Sequence, residues 1–115
     1  MSVVYKVCTK EEWNQALING FYAGSEIDAK DGFIHLSTKN QLNETLTKHF
    51  QGKKNLIIIS FSLEKIQDCL KWEFSRNGDL FPHYYGHLKT KFAENIFNLF
   101  LNTDGIHEFP KSFFS

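Results

Sequence analysis

The chain lacks the features that mark several large classes of protein. Its 13 Lys plus Arg balance 13 Asp plus Glu, and Arg76 is the only arginine. This balance disfavours a nucleic-acid binder, which needs a basic face and commonly uses arginine to grip phosphate. The longest continuous apolar run, residues 56–59, is far shorter than the ~20 residues of a membrane helix. We therefore expect no membrane association.

Cysteine is also scarce, with Cys8 and Cys69 as the only two. A disulfide framework would need more, and the paired CxxC motifs of a zinc ribbon are absent. We interpret both cysteines as small buried apolar residues. The first ten residues contain no signal-peptide segment, so we expect a cytoplasmic protein. At this length, residues 1–115 are expected to form a single domain.

Hydrophobic periodicity and helix-capping patterns predict an α+β fold. Two capping boxes, Thr9 with Glu12 and Thr38 with Gln41, predict the starts of two helices. Gly20 is typical of the residue that follows a helix. Strands are predicted at residues 3–8, 33–36, 55–62, 71–74 and 106–109.

Four segments carry more specific expectations. Residues 55–62 contain a continuous apolar run, typical of a central strand buried on both faces. Residues 21–32 are rich in Gly, Ser and Asp and predict a loop. Residues 96–101 match both a helix and a strand, and we favour the strand. Pro82 predicts that residues 81–86 form a loop or a sheet edge, because proline cannot donate to a central ladder.

No standard catalytic or nucleotide-binding motif is present, so candidate chemistry depends on polar residues in apolar surroundings. His35 lies in a predicted apolar strand, in which alternation places Phe33 on the same face as His35 and Ile34 and Leu36 on the other. Ser37 is also expected on the His35 face. A helix N-terminus follows at Thr38, and its free N–H groups favour an anion such as phosphate. The alternative is a core histidine bonded to backbone, with Ser37 serving only as a cap.

Glu73 lies between two large aromatic residues on a predicted strand. In a cleft, desolvation would raise the pKa of Glu73 toward a range useful for acid–base chemistry. Facing water, it would be an ordinary edge-strand charge.

Aromatic residues are in surplus, at 16% of the chain with 12 Phe. Periodicity assigns Phe33, Phe50, Phe61 and Phe97 to core faces. Five further aromatic residues follow no core period and lie near the polar candidates, so we predict that they wall one pocket: Trp72, Phe74, Phe81, Tyr84 and Tyr85.

Three histidines offer a metal site as an alternative: His35, His83 and His87. The spacing of the last two would place both on one face of a helix, but Pro82 and Gly86 disfavour that helix. We therefore predict no metal site.

These segments resemble the mostly bacterial "domain of unknown function 952" family. The resemblance rests on residues 5–7, 31–37 and 81–86, together with Trp72 and Glu73, and covers nearly the whole chain. The family resembles the ADP-ribosyltransferase superfamily in fold. That resemblance implies a small split or curved mixed β-sheet with two main helices, wrapped around a cleft that holds NAD.

The resemblance also implies roles for particular residues. His35 and Ser37 would contact a phosphate or the ribose next to nicotinamide, and Glu73 or His83 would lie nearest the reacting carbon. The implied catalytic residues are His35, Glu73 and His83. The implied ligand-binding residues are His35, Ser37, Thr38, Trp72, Tyr84 and Tyr85. No cofactor is required, and NAD is a candidate substrate or ligand.

Three functions stay open at this stage. The first is an enzyme that cleaves or transfers a glycosidic bond of a nucleotide such as NAD. The second is a module that binds the nucleotide without turnover, because the first strand lacks the Arg or His of active transferases. The third is a protein-interaction module in which Phe113 and Phe114 form an exposed hook.

Overall fold

The computed structural model describes residues 2–75 and 78–114, and its elements form the α+β arrangement expected. In chain order these are β1 (Val3–Thr9), α1 (Lys10–Asn19), β2 (Phe21–Tyr22), α2 (Glu26–Asp31), β3 (Ile34–His35), α3 (Leu42–His49), β4 (Leu56–Ser62), α4 (Leu63–Ile66), β5 (Leu70–Phe74), β6 (Leu80–Tyr84), β7 (Leu88–Lys89), β8 (Ala93–Asn98), β9 (Phe100–Leu101) and β10 (His107–Glu108). Short 3-10 helices lie at Lys39–Gln41, Gln67–Cys69, Thr90–Phe92 and Lys111–Phe114. None of the helices in the described ranges has the length and apolar character needed to cross a bilayer.

The central sheet has the order β1-β4-β8. Every residue of β4 is buried, and both neighbouring strands pair with it in the antiparallel sense. The prediction of a central strand is therefore confirmed. Side chains alternate along β4, so Ile57 and Ile59 join one apolar cluster while Leu56 and Ile58 join another. The sheet thus separates two halves of the hydrophobic core.

The predicted helix starts are confirmed. Thr9 accepts a hydrogen bond from the backbone N–H of Glu12, and the Glu12 carboxylate accepts one from Thr9. Gly20 ends α1 in the left-handed conformation, with φ of 85°. Gln41 accepts a hydrogen bond from the Thr38 backbone N–H just before α3. The predicted loop at residues 21–32 is wrong, because this stretch contains β2 and α2.

A second sheet has the order β3-β6-β5. The prediction for residues 81–86 is wrong, because Pro82 lies within the central strand β6 of this sheet. The Pro82 carbonyl accepts a hydrogen bond from the backbone N–H of Leu36 at 3.0 Å. The N–H and C=O groups of one residue point the same way in an antiparallel strand, so the N–H that proline lacks would also have faced Leu36. Leu36 lies just beyond β3, which ends at His35. Proline is tolerated because it lies opposite the end of β3, where the Leu36 N–H still bonds to Pro82 and a single hydrogen bond, that to the Leu36 carbonyl, is forgone.

The remaining strands form two small pairs, β2 with β7 and β9 with β10. Residues 96–101 are extended, as favoured, and contribute to β8 and β9. All strand pairs within the described ranges are antiparallel, so the expectation of a mixed sheet is wrong. The dipeptide Asn77-Gly78 predicts a tight hairpin turn, and Asn77 lies outside the described residues.

The cysteines and aromatics separate into buried and exposed groups. Cys8 is buried, which raises the pKa of its thiol to about 12, whereas Cys69 is only half-buried. Phe61 is fully buried, as predicted. Phe113 also packs into the core, against Tyr5, so the proposed hook of two exposed phenylalanines is wrong. Of these two phenylalanines, Phe114 is the exposed one.

Candidate functional site

The second sheet brings His35, Glu73 and His83 together on one face. His35 and His83 are direct partners across β3 and β6, with ring centroids 5.6 Å apart. Oε1 of Glu73 lies 2.9 Å from Nδ1 of His83. Tyr85 donates its hydroxyl hydrogen bond to the same Oε1 at 2.6 Å. These four side chains, together with Phe33, are called the imidazole cluster below.

Phe33 forms the apolar part of the imidazole cluster. Its ring stacks on His83 with centroids 4.0 Å apart and an interplanar angle of 26°. It also approaches His35 at 4.6 Å and Tyr85 at 5.4 Å. The assignment of Phe33 to the core is therefore wrong, since it is half-buried and covers the two imidazoles. Its alternation with the buried Ile34 is as predicted.

A buried ion pair holds His35 in position. Oδ1 of Asp28 lies 2.6 Å from Nδ1 of His35 and accepts from the His35 backbone N–H at 3.1 Å. Oδ2 of Asp28 accepts from Lys6 Nζ at 2.8 Å, and from the Ser25 backbone N–H at 2.9 Å. Both charged side chains are almost fully buried. Asp28 therefore joins β1, α2 and β3 through one carboxylate.

Asp28 is the ionised member of this arrangement. Burial alone would raise the pKa of its carboxyl. The hydrogen bond with His35 and the charge of Lys6 outweigh burial and hold that pKa well below its usual range. Gly24 makes room for the carboxylate, because a Cβ there would lie only 2.7 Å from Cβ of Asp28.

The exposed side of His35 meets a second carboxylate. Nε2 of His35 lies 3.0 Å from Oδ2 of Asp31, which is about half exposed. The two ring nitrogens of His35 therefore each face an acidic oxygen, one buried and one near solvent. Such a flanked imidazole is fixed in orientation, which is a common requirement for acid–base residues.

Glu73 is held as a carboxylate at the edge of the cluster. The hydrogen bond from Tyr85, and then that from His83, lower the pKa of Glu73. The same bond raises the pKa of Tyr85. The prediction that a cleft would raise the pKa of Glu73 is therefore wrong in direction, because hydrogen bonding to the charged form outweighs desolvation.

Four predicted ligand-binding residues lie away from the imidazole cluster. Ser37 is buried, and its hydroxyl lies 2.8 Å from that of Thr45 on α3. Thr38 caps the turn before α3 through its backbone. Trp72 and Tyr84 point to the opposite face of the second sheet, where Tyr84 joins the core and Trp72 is 43% exposed. Of the predicted binding set, His35 and Tyr85 lie in the cluster.

Sequence reasoning missed Lys6, Asp28 and Asp31. Lys6 offered a signal, since it interrupts an apolar strand and a buried lysine requires an acidic partner. Nothing local identified Asp28 as that partner, because it lies 22 residues away within a segment predicted to be a loop. The comparison of the first strand with active transferases considered only Arg and His, and so passed over Lys6.

The alternative of a three-histidine metal site gains no geometric support. His87 stacks on Phe21 with centroids 4.3 Å apart and nearly parallel rings. Across residues 2–75 and 78–114, His, Cys, Asp and Glu side chains form no group of three arranged to hold a metal ion.

Two concave regions differ in their relation to this chemistry. The larger, of about 320 Å³, lies at the end of the central sheet beside Lys10, Lys53 and Lys54. The smaller, of about 230 Å³, is lined by Asp28 and Phe33 and therefore borders the imidazole cluster. We place the candidate site beside the smaller cavity, because Phe33 belongs both to the lining of that cavity and to the imidazole cluster.

Comparison with known proteins gives a family but no activity. Two solved structures of protein CC0527 from Caulobacter crescentus are similar throughout. The X-ray structure is 38% identical, covers 93% of this chain and 94% of its own, and has a TM-score of 0.89. The solution NMR structure is 40% identical, covers 92% and 91%, and has a TM-score of 0.81. No curated protein matches the chain.

The model of one protein family matches residues 7–96, a span that contains every member of the imidazole cluster. The family is described as "Protein of unknown function (DUF952)". The chain belongs to this family, DUF952.

Proposed function

We propose that the imidazole cluster binds NAD or a related ADP-ribose nucleotide and, in NAD, cleaves the bond between ribose and nicotinamide. The observation that carries the proposal is the convergence of His35, Glu73 and His83 on one sheet face. Nothing local in the sequence links these residues, so their meeting is a property of the fold. The ligand class comes from the resemblance to ADP-ribosyltransferase-like domains.

The geometry supports a division of labour within the cluster. Glu73 is a carboxylate, suited to stabilise positive charge that develops on the ribose carbon as the glycosidic bond breaks. The bonding electron pair leaves with the nicotinamide nitrogen, and water adds to the same carbon. In the described part of the chain no protein group bonds Nε2 of His83, which leaves that atom able to take the proton lost by the water.

The cavity beside Phe33 limits how the ligand would lie. Its volume of about 230 Å³ is below the ~300–1,000 Å³ typical of small-molecule sites. It suits one ring of a dinucleotide, packed against Phe33, with the remainder extending over the surface. The described residues that line the cavity include Asp28 and neither Lys nor Arg, so a positively charged nicotinamide ring fits this position better than a phosphate does.

A second candidate is binding of the same ligand without turnover. It is favoured by one observation, namely that the polar groups already satisfy each other. Oε1 of Glu73 accepts two hydrogen bonds, and both ring nitrogens of His35 face carboxylates. A site whose groups are engaged in this way can hold a ligand without supplying a free nucleophile.

Calorimetric titration with NAD and with ADP-ribose, alongside detection of released nicotinamide by mass spectrometry, separates the two candidates. Binding and release that both fall about tenfold or more in Glu73→Gln would support cleavage. Binding without release would select the second candidate. Glu64→Gln is the matched control, because Glu64 is exposed on α4 and away from the cluster. Absence of binding at millimolar ligand would exclude both.

A further inference from the structure

The outer edge of the second sheet is open. β5 is the last strand in the order β3-β6-β5, so one side of its backbone has no neighbouring strand in the described chain. Open edges are templates for pairing with another strand, and proteins usually protect them. The residues that face this edge can be identified from the hydrogen bonds on the other side of β5.

Hydrogen bonds at both ends of the hairpin fix the direction of each backbone group. Tyr85 donates its N–H to the Cys69 carbonyl at 2.8 Å, and Ser75 donates to Asp79 at 2.9 Å. Both pairs continue the register of β5 and β6. The backbone N–H and C=O groups of alternate residues therefore face β6, namely those of Cys69, Lys71, Glu73 and Ser75. The alternate residues Leu70, Trp72 and Phe74 therefore turn their backbone groups outward. The Leu70 N–H donates a hydrogen bond to the Gln67 carbonyl, so at Leu70 only the carbonyl is free to pair along the edge.

The side chains at this edge are apolar and exposed to an unusual degree. Phe74 is 75% exposed and Trp72 is 43% exposed, and both lie on the same face of β5. Leu80, the cross-strand partner of Phe74, is 45% exposed. An edge strand with two outward aromatics is a candidate surface for association.

The side chains of β5 complement those of a second, antiparallel copy of β5 in size and charge. If two copies pair antiparallel with Trp72 opposite Trp72, then Leu70 faces Phe74 and Lys71 faces Glu73. Each outward-facing residue meets another outward-facing residue. Trp72 can therefore exchange two backbone hydrogen bonds with Trp72 of the second copy, and the free Leu70 carbonyl can accept one from the Phe74 N–H. Lys71 and Glu73 then occupy non-hydrogen-bonded pairs, whose side chains are closest and whose charges are opposite.

We propose that a second copy of this chain pairs along β5 in this register, joining two three-stranded sheets into one across a two-fold axis. Such an isologous contact is closed, because it uses the only β5 edge of each copy. It would also place Lys71 of the second copy beside Glu73 at the imidazole cluster. The proposal does not rest on nucleotide binding, since it is tested without ligand.

The contact is small, so the dimer is expected to be weak. A single strand pair with two aromatics a side falls below the roughly 1,200 Å² of stable interfaces, which corresponds to transient association. Sedimentation velocity from micromolar to millimolar protein would then show a rising mass, from 13.4 kDa toward twice that value.

Charge exchange tests the register. Lys71→Glu and Glu73→Lys each place like charges opposite one another and should weaken association about tenfold or more. The double variant Lys71→Glu with Glu73→Lys restores opposite charges and should restore the dimer. Single variants that associate as the wild type does, or a double variant that stays monomeric, would contradict the register.

A backbone variant tests the edge itself. Trp72→Pro removes an outward N–H, and proline is tolerated at such edge positions, so the monomer should keep its circular dichroism spectrum and cooperative melting. Its dimer should be lost. The control is Leu17→Ala, which removes an exposed apolar side chain on α1, away from β5, and should leave the dimer intact. A chain that stays monomeric at millimolar concentration, or dimers that survive Trp72→Pro, would overturn the proposal.

Discussion

The two three-stranded sheets have the same pairing sense but opposite relations to water. In the central sheet, β4 is buried along its whole length and carries apolar side chains on both faces. In the second sheet, one face joins the core through Ile34 and Tyr84, while the other carries two imidazoles and a carboxylate. The first sheet supplies stability, and the second uses that support to hold polar groups in fixed positions.

The largest effect is expected where the central sheet packs the core. Phe61→Ala should lower the free energy of unfolding by about 4 kcal/mol, because a fully buried ring is removed and a cavity remains. Urea denaturation followed by circular dichroism measures the change. Phe74→Ala, at a ring that is 75% exposed, is the matched control and should change little. Equal losses for the two variants would contradict the assignment of the core.

The next largest effect is expected at the buried ion pair. Asp28→Asn should cost about 3 kcal/mol, because Lys6 would keep its charge in a buried position without an acidic partner. Lys6→Met combined with Asp28→Asn removes both charges, so the double variant should be more stable than Asp28→Asn alone. Additive losses in this double-mutant cycle would show that the two residues act independently.

The same carboxylate predicts an acid dependence. Because the pKa of Asp28 is lowered in the folded chain, its contribution to stability is complete above the unfolded value of about 3.9 and is lost as pH falls below it. The stability gap between wild type and Asp28→Asn should therefore narrow from pH 5 to pH 2. A gap that is constant over this range would contradict the ionised state of Asp28.

A smaller effect is expected at the last described helix. Phe113→Ala should lower the free energy of unfolding by about 2 kcal/mol, less than for an interior phenylalanine, because the short 3-10 helix that carries Phe113 can relax into the space left. Phe114→Ala is the neighbouring control, since that ring is 66% exposed. Thermal unfolding distinguishes them, and a larger loss for the exposed ring would reverse the assignment.

The smallest effect on stability is expected in the imidazole cluster. Glu73→Gln keeps the shape of the side chain at a solvent-facing position, so the midpoint of unfolding should be unchanged. Binding of the nucleotide should still weaken, as described above. This separation of binding from stability would distinguish the second sheet from the first. A variant that unfolds at much lower urea would instead give Glu73 a structural role.

The sequence predicted the central sheet better than the second one, for physical reasons. The apolar run at residues 55–62 and the Thr9 capping box are local signals, and the structure keeps both. The Pro82 prediction was wrong because proline lies opposite the end of β3, where its missing donor costs a single hydrogen bond. α2 was missed because four of its six residues are charged and it shows no apolar periodicity. Asp28 anchors it, and the partner of Asp28, Lys6, is distant in sequence.

The candidate site shows the same division. His35, Glu73 and His83 were identified as individual residues from their surroundings, but their distances depend on the pairing of three strands. Face alternation correctly grouped Phe33 with His35, yet periodicity assigned Phe33 to the core. Ser37 shows the limit of alternation, since the strand ends before it and its hydroxyl turns to Thr45.

The central claim is that one face of the second sheet is the nucleotide site. Amide and side-chain chemical shifts recorded by NMR during titration with NAD and with ADP-ribose test it most directly. We predict saturable shifts at Phe33, His35 and Tyr85, and none around the larger cavity beside Lys53. Saturable shifts confined to the lysine-lined cavity, or no shifts at millimolar ligand, would contradict it.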